Sequence, residues 1–424
     1  MLNKLKEKFL PGYLKLKPAR DELTDDYIVN IQNLSVSFKV KAGMLHAVRD
    51  VSIKIKRGEI LGIVGESGSG KSVTVKSLIG FNDNSKTKAD NLDFLKWDLL
   101  TADKTSWKYI RGSKIAYIPQ DPLLSLNPTK RIGKQVIESI LITKKRKLQQ
   151  KIFDLKEEYK IDNDINKLKK EIAEAKELYK AQTTKKAVED KLYEVLDFIG
   201  IKNIKQRIKD YPHEFSGGMR QRIVIAMAIV SEPDLIIADE PTTALDVTIQ
   251  AKVLDIIKKL RDRYNIAIVL ISHNIGLVAN FCDFVYVMYA GKIVEQGLIK
   301  DIFTNPRHPY TWALISSIPD SNSDQELQSI PGTPPNLLIP PIGDAFAPRN
   351  KYATKIDFEK QPPLFTVNGS KTHKAATWLL HPDSPIKGIP ANVLEKIKVA
   401  KKSIEIKEAI KAKKIKNKNL EANQ

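Results

Sequence analysis

The chain is predicted to be an α/β protein built on a largely parallel sheet. Two observations carry that expectation. Short apolar, β-branched runs alternate with stretches of helical spacing, the pattern of strands covered by helices. One of those runs, EILGIVG at 59–65, leads into the glycine-rich segment Gly65-Glu66-Ser67-Gly68-Ser69-Gly70-Lys71-Ser72 and then a helix. Strand, glycine loop and helix in that order form the context in which backbone N–H groups cradle a phosphate.

Taken in order, IVNIQNLSVSF at 28–38, VRDVSIKIK at 48–56 and ILGIV at 60–64 read as strands, with Lys56–Glu59 supplying a turn. After Gly70, the residues Val73, Val75, Leu78 and Ile79 give a helix its apolar side. KIAYIP at 114–119, LIIA at 235–238 and IAIVLI at 266–271 have the length and content of short buried strands. Residues 143–186 differ in kind. Leu148, Ile152, Leu155 and Tyr159 form one narrow stripe, and Ile165, Leu168, Ile172, Ala175 and Tyr179 form another. The polar break Asp162-Asn163-Asp164 between them predicts a helical hairpin. A charged surface pair packed on itself is the plainer reading, and a docking element for a partner the sharper one. Beyond residue 318 prolines crowd in (Pro331, Pro334, Pro335, Pro340, Pro341, Pro348), marking a separate loop-rich region. From about Ala391 the chain is Lys-rich, with one amphipathic helix followed by expected disorder.

Composition narrows the function classes. The 424 residues are 42% hydrophobic and 28% charged, enough for two or three packed units. The longest apolar runs, Ile223–Val230 and Ile266–Ile271, fall far short of the roughly 18 residues a membrane span needs. The first ten residues have basic charge without an apolar core, so no secretory signal is expected. Cys282 is the single cysteine, which excludes intrachain disulfides and cysteine-ligated clusters. The formal charge of +20 suggests nucleic acid at first sight, but only 13 of the 70 basic residues are arginine. Arginine is the side chain suited to bidentate phosphate and base contacts. The lysine excess sits at the two ends, so a solvated or membrane-proximal surface is expected and specific nucleic-acid binding is not.

Three segments carry chemistry. In Gly65–Ser72, Lys71 is placed to reach β- and γ-phosphates and Ser72 to ligate Mg²⁺; a glycine-rich turn without function is the alternative. The apolar strand ending in Asp239-Glu240 puts two adjacent carboxylates on opposite sides. Asp239 suits the Mg²⁺ side, and Glu240 suits orienting or deprotonating a water. Ser216-Gly217-Gly218-Met219-Arg220-Gln221-Arg222 opens a long apolar helix and makes a second anion site, unless Ser216 is an ordinary helix cap.

The succession of Gly65–Ser72, Gln120, Ser216–Gln221, Asp239-Glu240, Ala244-Leu245-Asp246 and His273 resembles the ordered motifs of ABC ATPase domains: Walker A, Q-loop, signature, Walker B, D-loop and switch histidine. The resemblance covers about residues 28–318, interrupted by 143–186. It implies a P-loop NTPase fold of the ABC type, a mixed sheet core with antiparallel β and helical subdomains, the latter about 121–232. It also implies ATP and Mg²⁺ as ligands and a head-to-tail dimer, in which the signature of one subunit closes over the nucleotide on the other's Walker A. By the same resemblance Gln120 joins Ser72 and Asp239 at the metal and senses the γ-phosphate. His273 contacts that phosphate, and Asp246 and Gln221 belong to the nucleotide interface. Phe38 looks like the aromatic that stacks on adenine, with a strand-core phenylalanine as the alternative. Without the resemblance Gln120 would be a loop glutamine and His273 a structural histidine. Asn274 departs from the His-Asp pair common at that point.

HEFSGGMRQR, DEPTTALDVTIQA, ISHNIGLVA, HPYTWALISSIP (308–319) and IPGTPPNLL (330–338) are similar to the D-type ATPases of oligopeptide and dipeptide permeases. That similarity implies an importer with two transmembrane permease subunits, an F-type ATPase partner and an extracellular peptide-binding protein. It places the chain peripherally on the cytoplasmic face of the membrane. The chain then divides into a basic arm (1–27), the nucleotide-binding domain (28–318), a Pro-rich extension (319–390) and a Lys-rich tail (391–424). A nickel or other small-solute permease ATPase, or a soluble non-transport ABC ATPase, are the alternatives. Family members often carry a Cys-x-Phe-x-Pro-Arg-Cys-x-x-Ala-x-x-x-Cys stretch associated with an iron–sulfur cluster. Here Asp344, Asn350 and Asp357 stand at the cysteine positions. No iron–sulfur cluster is therefore expected, and the region is expected to be held by packing alone.

Overall fold

Two sheets organise the molecule, which a computed structural model describes for residues 16–19, 26–318 apart from Asn163 and Ala244, 330–385, and 388–398 apart from Asn392 and Lys396. Most of the basic arm and the Lys-rich tail, residues 319–329 and Ala244 lie outside the described residues.

The first sheet is antiparallel. The long strands β1 (Tyr27–Val40) and β2 (Gly43–Lys56) form a hairpin. Val29, Ile31, Leu34 and Val36 of β1 are buried, with a register shift between Ile31 and Leu34. The short strands β4 (Ser85–Lys88) and β5 (Asn91–Phe94) pair with β1, and β6 (Trp97–Asp98) with β5.

The second sheet has eight strands in the order β12-β13-β11-β10-β3-β9-β8-β7. Its core strands β3 (Ile60–Val64), β7 (Ile115–Ile118), β8 (Leu235–Asp239), β9 (Ala267–Ser272) and β10 (Phe284–Tyr289) are all parallel. β11 (Lys292–Leu298), β12 (Phe365–Thr366) and β13 (Lys374–Ala375) add an antiparallel edge. Both faces of the parallel part are covered, so alternate residues feed two cores. Ile60 and Val64 face one with Ile236 and Ile268, while Leu61 and Ile63 face the other with Ile237 and Val269. The second core is shared with the antiparallel sheet. Parallel strands end on the same side, so the turns after β3, β7, β8 and β9 meet at one sheet end, the usual place for ligand chemistry in open α/β sheets.

The helices follow as α1 (Lys71–Lys76), α2 (Lys104–Ile110), α3 (Ile132–Asp162), α4 (Ile165–Gln182), α5 (Lys185–Phe198), α6 (Ile204–Arg207), α7 (Gly217–Ile229), α8 (Val247–Tyr264), α9 (Ile275–Phe281), α10 (Ile299–Thr304), α11 (Pro309–Ser316) and α12 (Lys355–Glu359). The polar break of the 143–186 segment separates α3 from α4, and Asp164 caps α4 by accepting from the N–H groups of Asn166 and Lys167 at 3.0 Å. The hairpin does not begin as a separate element, however. Its first arm is the continuation of α3, a single helix of 31 residues. Nor does it pack only on itself. Arg146 Nη1 donates to the Arg111 carbonyl at 2.6 Å, Lys147 pairs with Glu232 at 2.6 Å, and Phe153 packs against the core shared with the antiparallel sheet. Phe153 lies outside the two stripes visible in the sequence.

The Pro-rich extension is likewise joined to the main body. Leu337, Ala345 and Phe346 enter the larger core, and β13 lies along β11. His373 Nε2 is 2.9 Å from the fully buried Glu295, which also accepts from the N–H groups of Arg307 and His308. The stretch carrying Asp344, Asn350 and Asp357 is not held by packing alone either, since its Arg349 pairs with Glu66 at 2.8 Å.

Candidate nucleotide site

The turn after β3 is shaped by glycine. Gly68 and Gly70 have φ of +77° and +96°, and a Cβ at Gly70 would run into the Ala47 carbonyl, so a side chain there is excluded. Ser69 is buried, and its Oγ has no hydrogen-bond partner inside the loop. Lys71 opens α1. Its ammonium rests on the carbonyls of Gly65 and Glu66, 2.8 Å from each. Burial lowers the pKa of Lys71, while Glu240, Asp239 and Glu66 oppose that shift. An ammonium partly desolvated beside carbonyls and carboxylates is a cation ready for an anionic ligand.

At the end of β8, Asp239 Oδ1 accepts from Ser72 Oγ at 2.7 Å, and Oδ2 accepts from Tyr117 OH at 2.7 Å. Lys76 Nζ stands 3.8 Å from Oδ2. Burial, the hydrogen bond to Asp239 and its charge together raise the Tyr117 pKa, which keeps the phenol a donor. A hydroxyl and a carboxylate oxygen side by side are hard ligands of the kind Mg²⁺ takes. With the glycine loop, the orphaned Ser69 hydroxyl and Lys71 beside them, the residues present fit a Mg²⁺–polyphosphate.

Glu240 follows at φ +47°, a left-handed conformation that turns it away from Asp239. Its Oε2 accepts from Gln120 Nε2 at 3.2 Å and Thr243 Oγ1 at 3.1 Å, and lies 3.2 Å from His273 Nδ1. Turns after three different strands thus converge on one carboxylate oxygen. Gln120 is placed against Glu240 by this contact.

Other expected residues are arranged differently. Ser216 caps α7 by position, but its hydroxyl makes no capping bond, and Ser216 and Gly217 are exposed. Gln221, unlike the exposed edge at Ser216, is buried, and among the described residues its Nε2 has no partner. Asp246 caps α8 by accepting from Ile249 N at 2.9 Å. Phe38 is half-buried and packs at the margin of the core shared by the two sheets. Asn274 caps α9 through Leu277 N. Glu66 points away from the cradle. Its N–H donates to Tyr310 OH at 2.7 Å, and its carboxylate pairs with Arg349 at 2.8 Å.

Tyr117, Thr243, Tyr310 and Arg349 are the side chains that sequence reasoning did not single out. Tyr117 and Thr243 sit three residues from Gln120 and Glu240 in the sequence, so their closeness to the site was open to inference; Tyr310 and Arg349 arrive only through folding. Asp344, Asn350 and Asp357 are buried and serve as local caps: Asp344 accepts from Phe346 N, Asn350 from Tyr352 N and Asp357 from Thr354 N.

The family model described as ABC transporter matches residues 48–243, and that described as Oligopeptide/dipeptide transporter, C-terminal region, matches residues 294–356. The oligopeptide transport ATP-binding protein OppD of Mycoplasma genitalium is 59% identical over 391 residues, covering 91% of this chain and 96% of that protein. OppD of Mycoplasma pneumoniae is 59% identical over 388 residues, with 91% of each covered. The dipeptide transport ATP-binding protein DppD of Lactococcus lactis is 45% identical over 366 residues, covering 86% of this chain and 94% of that protein.

Proposed function

Because the chain belongs to the ABC transporter ATP-binding proteins of the oligopeptide and dipeptide branch, we propose that it binds and hydrolyses ATP with Mg²⁺ to drive the import of oligopeptides. The observation that carries the catalytic part is the convergence of Gln120, Thr243 and His273 on Glu240 Oε2 beside the Ser72–Asp239 pair. Ser72 and Asp239 would hold Mg²⁺, which would supply neutralising charge to the β- and γ-phosphates. Lys71 adds a cation at the same loop. With Oε2 of Glu240 engaged by its three neighbours, Oε1 is left to accept the proton of an attacking water. Tyr117 holds the second oxygen of Asp239 and so fixes that carboxylate's orientation.

The exposed Ser216-Gly217 edge supports a head-to-tail arrangement, in which this signature closes over the nucleotide of an F-type ATPase partner. Two permease subunits and an extracellular peptide-binding protein complete the importer in this reading, with the chain on the cytoplasmic face of the membrane. Among the described residues no helix is long and apolar enough to cross a bilayer.

Glu240→Gln in the assembled complex is the test. ATP binding is expected to persist while turnover and peptide uptake fall together, turnover by roughly 10²–10⁴-fold. Near-normal hydrolysis would remove Glu240 from the proton-accepting role. Loss of hydrolysis without loss of peptide uptake would remove the transport coupling.

A further inference from the structure

The Pro-rich extension reaches back to the phosphate loop through one arginine whose five N–H groups all have partners. Arg349 Nη1 donates to Glu66 Oε2 at 2.8 Å and to Tyr289 OH at 3.0 Å. Nη2 donates to Glu66 Oε1 at 3.1 Å and to the Ile330 carbonyl at 3.2 Å, and Nε donates to the Pro331 carbonyl at 2.7 Å. A guanidinium has five N–H donors, so none is left over. The side chain is 5% exposed. Burial alone would lower its pKa, but the bonds to Glu66 and Tyr289 outweigh that and raise it.

Glu66 is the second residue of the loop, and the structure holds it on three sides. Arg349 grips the carboxylate, and Tyr310 of α11 takes the N–H at 2.7 Å. Lys71 donates to its carbonyl at 2.8 Å. Tyr310, Tyr289 and Phe346 pack tilted and edge-on into one aromatic group at this junction, with ring centroids 4.7–5.4 Å apart. The acceptor on which the phosphate-binding lysine rests is therefore fixed from the extension. A negative charge next to the triphosphate position is also matched by a cation from it.

We propose that Arg349, with Tyr310, is a positioning residue for the nucleotide site, clamping Glu66 so that nucleotide binding and the seating of residues 344–350 on the loop are thermodynamically linked. The proposal rests on the reading of Gly65–Ser72 as the nucleotide site. Linkage is reciprocal: if the seated extension favours nucleotide, nucleotide favours the seated extension by the same factor. A lysine cannot replace the fork, because one ammonium cannot meet both Glu66 oxygens and the three other acceptors in this geometry.

The experiment uses the full chain, MgADP as probe, and the variants Arg349→Met, Arg349→Lys, Tyr310→Phe and Lys71→Ala. Titration is paired with amide hydrogen exchange of the peptide spanning 344–350, with and without MgADP. Arg349→Met is expected to weaken MgADP binding at least ~5-fold, the lower end of ordinary coupling, with Arg349→Lys recovering only part. MgADP is expected to slow exchange across 344–350 in the wild type and to lose that effect in Arg349→Met. Tyr310→Phe removes a single hydroxyl and tests the clamp if the arginine variants do not fold; it too should weaken binding. Wild-type affinity in Arg349→Met or, failing that variant, in Tyr310→Phe would overturn the proposal. So would exchange at 344–350 that ignores nucleotide in the wild type, which is what a purely structural ion pair gives. If Lys71→Ala binds MgADP as the wild type does, the nucleotide-site reading itself fails. If only Lys71→Ala is impaired, the clamp fails and that reading stands.

Discussion

His308 and Asp344 are buried 3.8 Å apart, and among the described residues neither His308 Nε2 nor Asp344 Oδ2, the atoms facing each other, has a hydrogen-bond partner. Tyr310 N–H donates to His308 Nδ1, so the neutral ring carries its proton on Nε2. Burial pushes the His308 pKa down to about 3. Burial, assisted by the charge of Asp357, raises Asp344 to about 7. The two groups act on stability with opposite sign. Between about pH 3 and 6.5 the unfolded histidine binds a proton that the folded one does not, so stability rises with pH. Between about pH 3.8 and 7 the folded Asp344 holds a proton that the unfolded one has lost, so stability falls as pH rises. Over the shared window the contributions oppose each other. Asp344→Asn removes the falling one. Its stability relative to the wild type, followed by denaturant unfolding, should therefore climb between about pH 4 and 7, by up to ~4 kcal/mol. A difference that stays constant across that range would show that Asp344 is ionised in the folded chain. At this scale Lys71, Ser72, Asp239 and Glu240 were legible because each lies in a contiguous pattern with its own chemistry. Arg349 was not, since Glu66 is 283 positions away and no local spacing encodes that contact.

The helix α3 shows how an element can be read correctly and placed wrongly. The period of its apolar stripe gave the helix, and Asp162-Asn163-Asp164 gave its end. The anchors to the main body, Arg146, Lys147 and Phe153, however, lie on other sides of the helix than the stripe. Polar and single aromatic contacts of that kind leave no periodic trace. The distinction changes where the hairpin can be shortened. Replacing Lys156–Lys180 with a Gly/Ser linker keeps all three anchors and should leave nucleotide binding unchanged, since loop closure depends only weakly on length. Extending the replacement back to Lys147 removes Phe153 and the Glu232 pair, and should cost about 1–2 kcal/mol in thermal or denaturant unfolding. Equal stability of the two shortened chains would mean that these anchors contribute nothing. If the shorter replacement abolished nucleotide binding in a folded chain, the hairpin would belong to the catalytic body. The strands were the most legible elements, because those buried on both faces are short uninterrupted apolar runs, such as ILGIV at 60–64 and LIIAD at 235–239. The two-residue strands β12 and β13 carry no such signal.

For the whole molecule, the parallel order of the central strands explains why residues as distant as Gln120 and His273 meet at Glu240. The alternation of strands and helices predicted that arrangement, though not the antiparallel margin of β11, β13 and β12. That margin decides what the sheet offers to other molecules. Without β13, the seven-residue strand β11 would present an unpaired row of N–H and C=O groups, a template on which another chain could build. β13 occupies part of that row through Glu295 and Gln296, Ala376 N–H reaches the Val294 carbonyl, and the outermost strand is then the two-residue β12. A chain ended at Glu359 should consequently self-associate as its concentration rises, by strand-to-strand contact at β11. Sedimentation velocity over a concentration series follows this directly, and a truncated chain that stays monomeric throughout would show that the margin is dispensable. Self-association of the truncated chain would make the extension a guard against aggregation during synthesis as well, when β11 has emerged and its cover has not.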